Sequence, residues 1–406
     1  YSILWFLRSK IRKNHDIFIL LVNFMVFFAD SSYLHINILN ICVNTYAAEE
    51  IRANDLYAKS AILIDADSKR VLYEKNGYEK MAMASTTKIM TCLIALENSK
   101  EEDIVEFSTK ACSMPKVKLG AVNGRKFRMH DMLYSLMLES HNDTAVAIAE
   151  AVAGSTENFA VLMNKRAREI GAVNTNFVTP NGLDDELHYT TAYDMAIIAA
   201  EAIKNEKFLE IVNTCSHSFS DIEGKCSYSV YNKDAFLEMI EGAIGIKTGF
   251  TGNAGYCFVG AVRRNNKTFI SVVLASGWPP SKTYKWKDTV KLMNYGFDNY
   301  EYRVLFSGID LYKNILVENG IEDNVNTYIS GECQALVSDK DVIEYVYDDI
   351  SEKKICAPVR EGQILGYMRI MINKKEFAKY KICASKNVKK IDIRYSFMVV
   401  FKRLLF

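Results

Sequence analysis

A chain of 406 residues, 49% of them hydrophobic, is long enough for two or three domains, each with its own core. Its 50 basic and 49 acidic side chains leave a net charge of +1, which argues against a nucleic-acid partner. The nine cysteines form no disulfide framework and no Cys/His spacing suggests zinc, so neither a metal nor a cofactor is expected.

In chain order, Arg12 and Lys13 precede an apolar run over 17–29, a second apolar stretch reaches Val43, and Thr45-Tyr46-Ala47-Ala48 offers small residues for cleavage. Residues 1–48 therefore read as an export signal peptide, with an uncleaved N-terminal anchor as the alternative. Ser85-Thr86-Thr87-Lys88 comes next. On a helix, Ser85 and Lys88 share one face, one turn apart. The run 89–96 that follows is apolar nearly all round and predicts a buried helix. Ser85 then opens a core helix, and burial disfavours a charged Lys88, as a base for the serine requires.

Ser140-His141-Asn142 falls between helical patterns over 129–138 and 145–152. Asn142 or Asp143 can cap the second helix; in a catalytic reading Ser140 passes a proton and Asn142 hydrogen-bonds a substrate amide. Lys247-Thr248-Gly249 ends a strand-like run over 243–249, followed by runs over 255–262 and 268–275, an antiparallel meander. Lys247 and Thr248 suit a terminal carboxylate, and Gly249 and Gly252 leave room for a ligand backbone beside the strand. Cys92 reads as a core thiol, Cys215 and Cys226 flank a possible hairpin and are candidates for pairing, His188 reads as a hydrogen-bonded loop residue, and His217 has no partner motif.

Beyond Tyr300, runs at 304–306, 314–317, 342–347 and 367–372 are strand-like, with turn residues between them. They predict a small β-sandwich without catalytic residues. In the last segment Lys386, Lys389, Lys390, Arg394, Lys402 and Arg403 are interleaved with Ile391, Ile393, Phe397 and other apolar residues. That run is too short to span a bilayer and reads as a basic amphipathic helix for an anionic membrane surface, with packing against the β-domain as the alternative.

The three motifs in this order resemble the active-site set of penicillin-binding proteins and class A β-lactamases. With residues 60–68, 83–91, 181–194 and 357–366, they make the chain similar to the D-alanyl-D-alanine carboxypeptidases of the penicillin-binding-protein-5 type over about 55–385. Two residues depart from that family: His141 stands where glycine is usual, and Phe250 where some relatives have histidine. The resemblance implies an α+β fold, in which a DD-peptidase/β-lactamase-like domain (an antiparallel sheet packed with helices, plus a helical subdomain) precedes the β-sandwich. The expected boundaries are 49–300, 301–385 and a tail over 386–406. It also implies catalysis by Ser85, Lys88 and Ser140, and substrate binding by Asn142, Lys247, Thr248, Gly249 and Phe250. The Phe250 backbone N–H would join that of Ser85 in holding an oxyanion, and Lys285 would add to the carboxylate site. The substrate would be peptidoglycan stem peptides, trimmed of terminal D-alanine outside the cytoplasmic membrane; β-lactams would acylate Ser85. Two alternatives are a class A-like β-lactamase, which needs a glutamate that 174–183 does not supply, and a non-catalytic peptidoglycan-binding protein.

Overall fold

The structure is a computed structural model and describes residues 51–348 and 354–405; the signal or anchor predicted over 1–48 lies outside them. Strand β1 (Ser60–Asp65) is buried at every position and turns back into β2 (Val71–Lys75). Helix α1 (Lys88–Asn98) is buried from Lys88 to Ala95, as a segment apolar on all sides must be. Helices α2 (Met129–Leu138) and α3 (Asn142–Ala153) meet at the Ser140 corner. The Asp143 carboxylate does not cap α3 from outside; His141 holds the cap position and Asp143 lies in the first turn. Helices α4 (Thr156–Ile170), α5 (Ala192–Ala202) and α6 (Glu206–Asn213) start at Ser155, Thr191 and Asn205, whose side chains accept first-turn N–H groups.

A hairpin of β3 (Ser216–Ser220) and β4 (Ser227–Tyr231) leads into the predicted meander, β5 (Ala243–Thr251), β6 (Gly255–Arg264) and β7 (Lys267–Leu274), and then helix α7 (Tyr284–Asn299). The five long strands form an antiparallel sheet in the order β2-β1-β7-β6-β5. Alternate residues point to opposite faces. Ile62, Ile64, Val259 and Val272 join the core under α1 to α6, while Leu63, Phe258, Phe269 and Val273 pack on Trp286, Leu292 and Met293 of α7. Covering both faces explains why β1 and β7 have no polar stripe.

The second sheet differs in detail from the expectation. The runs at 304–306 and 314–317 are one strand, β8 (Glu301–Glu318), paired with β9 (Asn324–Val337). Pairing shifts between Val304 and Phe306 and between Leu311 and Asn314 bend this strand rather than ending it. With β10 (Ile343–Tyr347), β11 (Ile355–Cys356), β12 (Ile364–Ile372) and β13 (Lys375–Ala384), the order is β10-β12-β13-β9-β8-β11, curled around Phe306, Ile329, Met368, Ile370 and Ile382. The tail does not begin at Lys386. Val388 is buried beside Val317, Val325 and Val359, and the Ile391 N–H bonds the Asn319 carbonyl, so the chain stays in this fold to Ile391. Helix α8 (Ile393–Leu405) follows with Ile393, Phe397, Phe401 and Leu404 exposed. Among the described residues no single helix is long and apolar enough to cross a membrane.

Candidate active site

Ser85 sits in a 3₁₀ turn, Ala84–Thr87, that runs directly into α1. The turn is entered through Ala84 at φ 48, a left-handed conformation costly for any residue but glycine. It is held from several sides. Thr86 Oγ1 donates to the Met83 carbonyl at 2.6 Å and Thr87 Oγ1 to that of Ala84 at 2.8 Å. With its proton so used, Thr87 Oγ1 accepts from His188 Nε2, 2.8 Å away. His188 Nδ1 in turn accepts the Val178 N–H at 3.0 Å, which fixes the tautomer. Burial brings the His188 imidazole down to about 4, so it is neutral at pH 7. His188 is thus the hydrogen-bonded loop residue expected, with a definite place under the nucleophile turn.

Lys88 is fully buried. Its Nζ lies 2.9 Å from Ser85 Oγ, 2.9 Å from Asn142 Oδ1 and 2.6 Å from the Asn181 carbonyl oxygen. Burial lowers its pKa far below the ordinary lysine value, and the charge of Lys247 lowers it further, against Asp143. A neutral amine has two N–H groups and one lone pair. The two oxygens that can only accept, on Asn142 and Asn181, take the N–H groups, and the lone pair is left for the Ser85 hydroxyl.

At the corner, Ser140 adopts φ 68, and its buried Oγ has no hydrogen-bond partner among the described residues. His141 neither crowds the corner nor points outward. It turns into the protein, with Nδ1 2.8 Å from Ser135 Oγ and Nε2 3.3 Å from Glu139. Glu139 also accepts the Tyr231 N–H at 3.1 Å and pairs with Lys233 at 3.2 Å, tying the corner to β4. Asn142 has both ends of its amide engaged, Oδ1 on Lys88 and Nδ2 on the Pro115 carbonyl at 3.2 Å, so here it orients the lysine. Asp143 accepts the N–H groups of Leu119 and Gly120 at 2.9 and 2.8 Å, pinning the loop beside the site.

The third side is β5. Gly249 is pressed against the nucleophile turn: a Cβ there would lie 3.1 Å from both the Ser85 and Thr86 nitrogens. Lys247 is buried, and burial lowers its pKa to about 8, with Asp234 opposing and Lys285 adding to the drop. Lys285, also brought down to about 8 by burial first, lies over the Tyr256 and Trp286 rings. Phe250 is exposed and its ring packs 4.6 Å from that of Tyr256. Ser85, Ser140, Asn142, Lys247, Thr248, Gly249, Phe250 and Lys285 all line one cleft of about 360 Å³, with Lys88 beneath its floor. Sequence reasoning did not single out Asp234, Glu139 or Lys233, and it placed Asn181 only within a family-like segment. The Asn181 carbonyl that meets Lys88 is remote along the chain, and the Asp234 charge acts on Lys247 from outside its strand.

Cys215 and Cys226 stand at opposite ends of the β3–β4 hairpin, next to the Ser216–Tyr231 and Ser220–Ser227 pairs, and are free thiols. Cys92 is the core thiol expected, its pKa pushed up by burial.

A serine hydrogen-bonded to a buried lysine whose pKa is driven down, facing a strand with a second buried lysine, suits a serine acyl-transfer enzyme. Residues 45–277 match the family profile of the D-alanyl-D-alanine carboxypeptidases, peptidase family S11. The chain is 32% identical to D-alanyl-D-alanine carboxypeptidase DacF of Bacillus subtilis over 339 residues, 82% of this chain and 86% of that one. It is 28% identical to DacC of Escherichia coli, over 84% and 87%. Among solved structures, penicillin-binding protein 5 of Haemophilus influenzae matches with a TM-score of 0.67 at 25% identity, over 84% of this chain and 99% of that one. The chain belongs to the D-alanyl-D-alanine carboxypeptidase family and is a serine peptidase of the penicillin-binding-protein type. Neither alternative, lactamase or non-catalytic binder, finds support in these relatives.

Proposed function

We propose that the cleft removes the terminal D-alanine of peptidoglycan stem peptides by the following steps. Lys88 takes the Ser85 hydroxyl proton, and Oγ attacks the carbonyl carbon of the penultimate D-alanine. The oxyanion is held by the backbone N–H groups of Ser85 and Phe250, the latter by analogy with the family. The C–N bond breaks, Ser140 relays a proton to the departing amine, and D-alanine leaves. Water then hydrolyses the ester on Ser85. Lys247, Thr248 and Lys285 hold the terminal carboxylate, and Asn142 keeps Lys88 oriented. One observation carries this reading: Lys88 is buried, which lowers its pKa, and its Nζ lies 2.9 Å from Ser85 Oγ, with Asn142 Oδ1 and the Asn181 carbonyl oxygen as its other partners. β-Lactams present a comparable carbonyl and carboxylate and acylate the same serine.

The relatives' action on the cell wall supports an exported enzyme working at the outer face of the membrane, with α8 as its surface contact. Residues 49–300 would be the peptidase domain and the second sheet a spacer.

The test is labelling with a fluorescent penicillin, alongside D-alanine release from a pentapeptide. The wild-type chain should label stably and release D-alanine. Ser85→Ala should do neither, and Lys88→Arg should also fail because arginine stays protonated. Rapid loss of label would favour a lactamase, and label on Ser85→Ala would move the nucleophile elsewhere.

A further inference from the structure

His217 has no motif around it in sequence, yet it does not stand alone in the fold. It lies on β3, and its Nε2 is 2.8 Å from Oδ1 of Asp131 in the first turn of α2. The neighbouring His130 places Nδ1 3.3 Å from the same oxygen. One ligand atom from each of the three residues falls within 4.8 Å of the others, and all three side chains are partly exposed. The His217 ring is held in plane by Tyr134, stacked at 4.1 Å, and the Tyr134 hydroxyl is fixed by Glu210 at 3.0 Å. The His217 donor is therefore oriented before any ion arrives.

We propose that His130, Asp131 and His217 form a binding site for a divalent transition-metal ion of the zinc type, separate from the catalytic cleft. Two imidazole nitrogens and a carboxylate oxygen are a donor set that zinc accepts, with a fourth position left to water. Tetrahedral bonds of about 2.0–2.1 Å put ligand atoms roughly 3.3 Å apart. The His130–Asp131 separation is 3.3 Å and the His217–Asp131 separation 2.8 Å, and an ion would draw the three ligand atoms, all within 4.8 Å of one another, to a common spacing. An ion there would clamp the β3–β4 hairpin to α2. That helix ends at the Ser140 corner, and β4 holds Glu139 through the Tyr231 N–H. The bound ion would thus brace the wall of the cleft without touching substrate. The sequence hides this site because its two histidines lie on different elements, far apart in the chain.

The experiment is calorimetric titration of the chelator-treated full chain with Zn²⁺, repeated with Co²⁺ to read the coordination from its visible spectrum. Thermal melts are recorded with and without metal. The wild type should bind one equivalent, melt higher with metal, and give a cobalt spectrum of four-coordinate type. His130→Ala should weaken binding by roughly tenfold or more. His217→Ala removes the hydrogen bond to Asp131 and risks loosening the hairpin. His217→Gln keeps an N–H for Asp131 while lacking the imidazole ligand, so it should fold, label with penicillin and still lose the metal-dependent rise in melting temperature. Saturable binding that is unchanged in both His130→Ala and His217→Gln would overturn the proposal, as would no binding by the wild type.

Discussion

The proposed anchor role of Lys247 needs a charge where burial opposes it. Its pKa, brought down to about 8, leaves it cationic at neutral pH and neutral not far above. In the free enzyme, kcat/KM for a substrate with a free terminal carboxylate should fall as pH rises through about 8. An amidated substrate should lack this limb, since it offers no charge to hold. A charge-assisted hydrogen bond is worth about 1.5–3 kcal/mol, so Lys247→Ala should cost roughly ten- to a hundred-fold on the carboxylate substrate and far less on the amide. Equal losses on the two would remove the anchor role. His188 gives the converse case, a histidine held neutral. Its folded pKa of about 4 lies below the unfolded value, so the unfolded chain binds the proton more readily in between. The stability it contributes is complete above about 6.5 and is lost as pH falls towards 4, by up to about 3 kcal/mol. Denaturant melts at pH 7 and pH 4.5 should show a larger acid loss in the wild type than in His188→Gln. Identical losses would mean that another group dominates the acid limb.

At the level of elements, the site is where three segments are forced into backbone contact. Gly182 shows how close that contact is: its φ is 83, and a Cβ would stand 2.0 Å from the Ala84 carbonyl oxygen. Gly182→Ala should displace the turn that presents Ser85, with penicillin acylation falling by at least tenfold and the melting temperature dropping together. A variant that folds and acylates normally would show the turn to be independent of the 180–183 loop. These contacts also explain what was legible beforehand. Helix α1, the α2–α3 corner and the β5–β7 meander could be read because each carries its own periodicity and its motif lies within a few residues. The strands β9 and β13 could not, since they are half exposed and mix charged residues such as Lys379 and Lys381 into the apolar alternation. Ser85, Lys88, Ser140 and Lys247 were visible as spaced types. Asn181, which engages Lys88, and Asp234, which faces Lys247, were not marked, because nothing local in sequence distinguishes a carbonyl or carboxylate that will meet a lysine from another element.

For the whole molecule, the question is what the second sheet and α8 add to a peptidase whose cleft is complete without them. Arg70 on the first sheet's side pairs with Asp341 at 2.6 Å in a nearly buried contact, so the two sheets are linked by more than a tether. Among the described residues the second sheet supplies none that line the cleft. The described part of helix α8 has 13 residues, about 20 Å of length against roughly 30 Å of bilayer hydrocarbon. Its exposed Ile393, Phe397, Phe401 and Leu404 nonetheless form a face that nothing among the described residues covers, beside Arg394 and Lys402. Under the surface-contact reading proposed above, such a helix would lie in the interface of an anionic membrane, held by apolar burial and by charge. Because Val388 and Ile391 belong to the second sheet, the informative truncation starts at Ile393 rather than Lys386. The full chain should co-sediment with anionic vesicles better than with neutral ones, and less at high salt. The chain lacking 393–406 should stay in solution with D-alanine release unchanged. If both chains sediment alike, attachment lies elsewhere, and the 1–48 segment becomes the anchor to test. If the truncation abolishes activity, α8 supports the fold and the interfacial reading fails.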